Sequence, residues 1–79
     1  MLIKIQYFSL LRDLKGPDSV EIPAGSSIAD LLEMLFEDVP GLESWDKRLL
    51  IAAGIEWVPK DYIVQPGDVI SLMPPVQGG

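Results

Sequence analysis

Apolar residues recur with the two-residue period of strands near both ends of the chain, and with a helical period at one place between them. The helical stretch begins after Ser27, which together with Asp30 fits a capping box. Its apolar positions follow the i, i+3, i+4, i+7 rule of a helix that buries one face: Ile28, Leu31, Leu32 and Leu35. We therefore predict one main helix, which closes near Glu37 or Asp38.

Two strands are predicted before this helix. Alternation in the first strand separates two faces, Ile3, Ile5 and Tyr7 on one and Lys4, Gln6 and Phe8 on the other. Residues 9–16 hold three leucines around Arg12 and Asp13, which predicts a turn or a short helical connection. Residues 19–22 form the second strand, and the Pro-Ala-Gly sequence that follows ends it.

Three further strands are predicted after the helix, beyond an irregular stretch that contains Trp45. They comprise residues 49–53, which read as a mostly buried strand, residues 56–58 and residues 69–73. Gly54-Ile55 suits a type II′ hairpin turn, because glycine takes its first central position. Pro66-Gly67 suits the central positions of a type II turn.

This order of elements predicts an α+β domain in which the helix packs across one face of a mixed sheet. We interpret it as the β-grasp, or ubiquitin-like, arrangement, in which the first and last strands run parallel and adjacent. The domain would span residues 1–73, and residues 74–79 would form an extended tail. A hydrophobic fraction of 48% excludes an intrinsically disordered chain, although 79 residues make only a marginally sufficient core.

The composition excludes several classes of site and partner. The chain has no cysteine and no histidine, so a disulfide framework and the usual zinc sites are excluded, and no metal site is expected. We expect a cytoplasmic protein, because the N-terminus does not resemble a signal peptide and no stretch is long enough to span a membrane. A net charge of −6 argues against nucleic acid. It is compatible with a basic protein partner, or simply with solubility.

The C-terminal run is Pro74-Pro75-Val76-Gln77-Gly78-Gly79. Proline favours polyproline II geometry at about 3.1 Å per residue, so six such residues reach on the order of 15–20 Å. Glycine has no Cβ, so the end of the run could enter a narrow channel and leave the terminal carboxylate open to attack or activation. The alternative is a disordered tail, as many termini are.

A docking surface is predicted near the root of this tail. If Ile70 and Leu72 lie beneath the helix, alternation sends Met73 to the opposite face, where it meets Phe8. Such an apolar pair is suited to binding a partner, unless one or both residues are simply scattered exposed apolar side chains. Arg12 could contact the partner or pair with a local acidic residue, and we favour the local role. We interpret Trp45 and Trp57 as packing residues.

Three segments resemble one known family. The ending PPVQGG, with residues 65–73 before it, is similar to the small subunit of molybdopterin synthase (MoaD-like), which has a glycine-aspartate turn, an apolar strand and Pro-Pro-Val-x-Gly-Gly. Residues 7–16 resemble the family's aromatic strand end and leucine-arginine-acid-leucine turn, and residues 27–32 its helix start. The chain departs from the family at Gly54-Ile55-Glu56, where an asparagine-glycine turn is usual.

The resemblance implies a sulfur carrier. An activating enzyme related to ubiquitin E1 would adenylate Gly79 with ATP, and a sulfur donor protein would convert the adenylate to a thiocarboxylate. The large synthase subunit would then receive residues 74–78 and pass the sulfur to cyclic pyranopterin monophosphate, two sulfurs making the dithiolene. The synthase would be a heterotetramer with two copies of each subunit. No cofactor would be bound by this chain directly.

The residues agree with this interpretation. The sequence has no P-loop, no basic cluster and no histidine with which to bind and position ATP, so activation is expected to belong to a partner. With no cysteine, the C-terminus is the obvious sulfur carrier. Two alternatives stay open: a thiazole-forming sulfur carrier of thiamine biosynthesis, which Pro74-Pro75 disfavours, and a ubiquitin-like protein modifier or interaction module, in which Gly79 forms an isopeptide bond or has no reaction.

Overall fold

The computed structural model describes residues 1–75, in which five strands form one mixed sheet. The elements in chain order are β1 (Leu2–Tyr7), a first 3₁₀ helix (Ser9–Leu14), β2 (Ser19–Glu21), α1 (Ile28–Asp38), α2 (Pro40–Glu43), a second 3₁₀ helix (Asp46–Arg48), β3 (Leu50–Ala53), β4 (Glu56–Trp57) and β5 (Val69–Met73). The strand order across the sheet is β2-β1-β5-β3-β4.

The centre of the sheet is a parallel pair made by the first and last strands. Ile5 lies opposite Ile70 and Tyr7 lies opposite Leu72, while β2 and β3 pair antiparallel on either side. Parallel strands need a long crossover connection between them. The residues between β1 and β5 provide that connection. The predicted β-grasp arrangement is confirmed.

The core lies between the sheet and α1. The helix buries the four apolar residues that its period predicts, and these face fully buried side chains of β1 and β5, including Ile3, Ile70 and Leu72. Each fully buried aliphatic side chain contributes about 1.5–3 kcal/mol relative to an exposed one. The start of the helix is fixed as predicted: the Asp30 backbone N–H donates to Ser27 Oγ at 3.2 Å, and the Ser27 N–H donates to Asp30 Oδ2 at 3.0 Å.

Both predicted glycine turns form. Gly54 has φ +63° and Ile55 has no positive φ, which fits a type II′ rather than a type I′ hairpin. Gly67 has φ +87°, and the Asp68 N–H donates to the Gln65 carbonyl at 3.0 Å, as a type II turn requires. The turn is held further by Tyr62, whose hydroxyl donates to Asp68 Oδ2 at 2.8 Å, and this hydrogen bond raises the pKa of Tyr62.

The stretch after α1 is more regular than its sequence indicates. Residues 40–43 form α2, with Pro40 in its first turn, and residues 46–48 form a 3₁₀ helix. Leu42 of α2 is fully buried, so tertiary packing stabilises a helix that is too short to show a period. Trp45 packs against the core, as predicted, with the Arg48 guanidinium 4.6 Å from its ring centroid.

None of the helices within residues 1–75 has the length and apolar character needed to cross a membrane.

Candidate functional site

The parallel pairing of β1 and β5 brings Phe8 to the point where the tail begins. Phe8 directly follows β1, and Met73 is the last residue of β5. The Phe8 N–H donates to the Leu72 carbonyl at 3.0 Å, which continues the strand pairing by one residue. Since Tyr7 and Leu72 are partners, Phe8 and Met73 lie side by side on the face away from α1, as predicted.

An apolar cavity of about 530 Å³ opens at this place. It is lined by Phe8, Ser9, Leu50, Trp57, Met73, Pro74 and Pro75. We call the apolar members of this set, Phe8, Leu50, Trp57, Met73, Pro74 and Pro75, the tail-root surface. It joins three strands to Pro74 and Pro75, the first two residues of the predicted tail.

The tail-root surface is open because the sheet has a helix on one face only. The centre of the other face is occupied by short or polar side chains, Ala52 and Ser71, and Ser71 Oγ donates to Gln6 Oε1 at 3.2 Å. Phe8 therefore stays 43% exposed although it lies beside a strand. A large apolar patch rimmed by polar groups is typical of a protein interaction site.

Trp57 was predicted to be a packing residue, and this prediction is wrong. Its side chain is 65% exposed and lines the apolar cavity. In the structure Val58 packs against the core, so its neighbour Trp57 faces the other way. The strand has only two residues, so its sequence shows no alternation that would reveal this. Leu50 was also missed, although Ile51 beside it faces the core and leaves Leu50 on the open face.

Tyr7 and Gly16 fix the segment that carries Phe8. The Tyr7 hydroxyl donates to the Pro17 carbonyl at 2.9 Å, and a Cβ added at Gly16 would lie 2.5 Å from that hydroxyl. Gly16 is therefore required for the close approach of the loop to the tyrosine ring. Burial, together with the nearby charge of Asp18, raises the pKa of Tyr7 to about 12.

Arg12 lies away from the apolar cavity, in a second cavity that it lines together with Lys4, Lys15 and Asp18. The local ion pair that we favoured for Arg12 is not formed with any residue in the described part of the chain. The sequence shows no run of basic residues, yet the fold brings three of them together.

The remaining predicted site residues, Val76, Gln77, Gly78 and the Gly79 carboxylate, lie outside the described residues. No group of three Asp or Glu side chains among residues 1–75 is placed to hold a metal ion. The described part of the chain thus offers an apolar surface at the root of the tail and a cationic cavity beside it.

Comparison with known proteins gives both a family and a fold. The model of the ThiS family matches residues 5–79. The molybdopterin synthase sulfur carrier subunit of Arabidopsis thaliana is 33% identical over 79 residues, covering 98% of this chain and 82% of that protein.

Two solved structures are similar over the whole chain. The crystal structure of SAMP1 from Haloferax volcanii superposes with a TM-score of 0.83 at 24% identity, covers 100% of both chains and supports the fold alone. A chain of the complex of subunits 1 and 2 of molybdopterin-converting factor from Helicobacter pylori superposes with a TM-score of 0.69 at 26% identity, again with 100% of both chains covered.

Proposed function

Because the chain belongs to the ThiS family, we propose that it is the sulfur-carrier subunit of a molybdopterin synthase and acts in the cytoplasm. The name of the Arabidopsis relative supports this assignment over a thiamine-type carrier. The chain would not be an enzyme on its own, and would supply sulfur to the active site of a large subunit.

The chemistry would take place at the Gly79 carboxylate. A free α-carboxylate has a pKa of about 3.3–3.7, so at neutral pH it is ionised and a poor electrophile. Adenylation by an E1-like enzyme would join a carboxylate oxygen to the α-phosphate of ATP and release pyrophosphate. Sulfur at the oxidation level of hydrosulfide, delivered by a donor protein, would then displace AMP and leave a thiocarboxylate.

The observation that carries the proposal is the position of the tail-root surface. Met73 ends the central strand β5, and the next two residues, Pro74 and Pro75, line the same cavity as Phe8 and Trp57. A partner seated on this surface would hold the start of the tail against a rigid sheet. The residues that follow would then be directed into the partner's active site, where a fixed geometry lowers the entropic cost of reaction.

The large synthase subunit is the partner that would receive the tail, in a heterotetramer with two copies of each subunit. The Helicobacter pylori neighbour, whose structure is a complex of subunits 1 and 2 of molybdopterin-converting factor, supports this pairing. There the thiocarboxylate would give its sulfur to cyclic pyranopterin monophosphate. The chain itself would bind no cofactor, and the ATP would be bound by the activating enzyme.

Intact-mass spectrometry of the protein recovered from cells tests the assignment. A carrier shows a species heavier by the difference between one sulfur and one oxygen atom, and this species is absent from a variant that lacks Gly79. A protein modifier would instead be found attached to whole proteins. Recovery of the unmodified chain alone, from cells that make molybdopterin actively, would contradict the sulfur-carrier assignment.

A further inference from the structure

Half of the basic side chains of the chain lie beside the tail-root surface. Lys4, Arg12 and Lys15 line a cavity of about 520 Å³, and they are three of the six lysines and arginines in a chain of net charge −6. One carboxylate, that of Asp18, lines the cavity with them. We call this space, bounded by Lys4, Arg12 and Lys15, the cationic cavity.

None of these three side chains forms an ion pair within the part of the chain that the structure describes. The ion pairs found there join the N-terminal ammonium to Glu21 and Lys60 to Asp46. The side chains of the cationic cavity are exposed, and they come from β1 and from the end of the first 3₁₀ helix. Like charges held together in this way repel one another, so an anionic partner would relieve the repulsion.

The backbone at Lys15 fixes the place from which this side chain leaves the loop. Lys15 caps the first 3₁₀ helix in the left-handed conformation, with φ +55°, and its N–H donates to the Arg12 carbonyl at 3.2 Å. Glycine is the residue that this conformation favours, because a Cβ is strained there. The chain nevertheless has a long cationic side chain at this position. Strained non-glycine residues cluster at functional sites, so the position is a candidate for one.

The identity of the occupant follows from the position of Phe8, which lines both the cationic cavity and the apolar cavity. The two cavities are therefore neighbours, with Phe8 between them. A protein that covers the tail-root surface would also lie next to the cationic cavity. A preformed site for a small anion would contain buried side-chain hydrogen-bond donors that have no partner within the protein and can bind the anion. Within residues 1–75, however, every buried side-chain nitrogen and oxygen already has a hydrogen-bond partner. Exposed cations next to an apolar patch suit the rim of a protein interface.

We propose that the cationic cavity binds carboxylate side chains of the large synthase subunit, next to the apolar contact on Phe8. The inference rests on the proposed function, because it takes the large subunit as the partner. Exposed charges at the rim of an interface act mainly by steering the encounter, so they change the association rate and its salt dependence more than the dissociation rate.

Stopped-flow association with the purified large subunit tests the inference. The variants are Lys15→Glu and Lys4→Glu, and the matched control is Lys47→Glu, which reverses one exposed charge in the second 3₁₀ helix outside both cavities. At low ionic strength we expect Lys15→Glu and Lys4→Glu to slow association about fivefold, and Lys47→Glu less than twofold. Near 1 M salt, where the Debye length is about 3 Å, all four proteins should associate at one rate.

Equal slowing by Lys47→Glu and Lys15→Glu would overturn the inference, because the effect would then reflect net charge. Unchanged rates in both cavity variants would also overturn it. So would competition by inorganic phosphate at constant ionic strength, which would assign the cavity to a small anion. If the wild-type chain does not bind the large subunit, the proposed function itself fails. If it binds and the cavity variants have no effect, only this inference fails.

Discussion

Phe8, Trp57 and Met73 come from three separate parts of the sequence and lie at one cavity beside the start of the tail. Aromatic residues in such a place are typical hot spots, because a few side chains carry most of the binding free energy of an interface. Phe8 and Trp57 are exposed and Met73 is half-buried, and none of the three belongs to the hydrophobic core. Substitutions at the tail-root surface should therefore separate binding from folding.

Met73→Asp is the sharpest test of this separation. A carboxylate at this position would be desolvated in the apolar contact, so we expect affinity for the large subunit to fall by about 2 kcal/mol or more. The thermal midpoint should move little, because Met73 is only half-buried. Isothermal titration calorimetry gives the affinity and differential scanning calorimetry the midpoint.

Ile55→Asp is the matched control for Met73→Asp. Ile55 lies at the tip of the β3–β4 hairpin, is 99% exposed and does not line the apolar cavity. The same change of charge there should leave affinity nearly unchanged. An unaltered affinity of Met73→Asp would show that the tail-root surface is not the docking site, whereas unfolding of that variant would place Met73 in the core.

Gly78→Val tests why the penultimate residue is glycine. Valine adds a β-branched side chain and restricts backbone angles that glycine adopts freely, so adenylation and sulfur transfer should both fall sharply. Affinity for the large subunit should fall less, because the tail-root surface is unchanged. Single-turnover assays with the activating enzyme and with the thiocarboxylated synthase measure the two steps, and wild-type rates in both would refute a narrow channel for the Gly-Gly end.

At the scale of elements, α1 and the central strands determine where the tail begins. The capping box fixes the first turn of α1, and the apolar face of this helix packs on β1 and β5. Strand β5 ends at Met73 and is followed directly by Pro74. The β3–β4 hairpin contributes Leu50 and Trp57 to the open face of the same sheet. The tail-root surface therefore depends on the correct packing of the helix on the opposite side of the sheet.

Ser27→Ala removes the side-chain acceptor of the capping box. The Asp30 N–H then loses its partner, and we expect the free energy of unfolding to fall by about 1 kcal/mol, measured by urea denaturation. Ser27→Asp should retain most of the stability, because aspartate caps a helix about as well as serine does. If both variants were equally destabilised, the loss would have to come from the surroundings of Ser27 and not from the cap.

At the scale of the whole molecule, folding and carrier function are expected to be independent. The buried apolar residues of the described chain lie between Ile3 and Leu72. Gly79 is therefore not expected to contribute to the stability of the core. The carrier chemistry, in contrast, would be performed at the terminal carboxylate alone. Under the proposed function, the folded domain would serve to present the terminal carboxylate to its partners.

Deletion of Gly79 should accordingly leave the thermal midpoint nearly unchanged and abolish molybdopterin formation in a reconstituted synthase. Restoring the residue should restore the activity, which excludes damage during preparation. Normal molybdopterin formation by the shortened chain would remove the sulfur-carrier hypothesis.

Local features of the sequence were sufficient to predict most of the fold. The capping box, the helical period, the glycines of two tight turns and the alternation in residues 69–73 are each set by neighbours a few residues apart, and all were confirmed. The meeting of Phe8 and Met73 also followed, once the first and last strands were taken as a parallel pair. Each of these features depends on the backbone preferences of individual residues and on the period of apolar side chains. Both can be read directly from the sequence.

Only the tertiary structure decided which distant residues share a surface. It places Trp57 at the root of the tail, it makes a helix of residues 40–43, and it brings Lys4 of β1 together with Arg12 and Lys15 in one cavity. A short two-residue strand and a four-residue helix are too brief to show a period, so their environment has to come from packing. Charges spread along a sequence likewise become a cationic cavity only because the chain folds back on itself between β1 and β2.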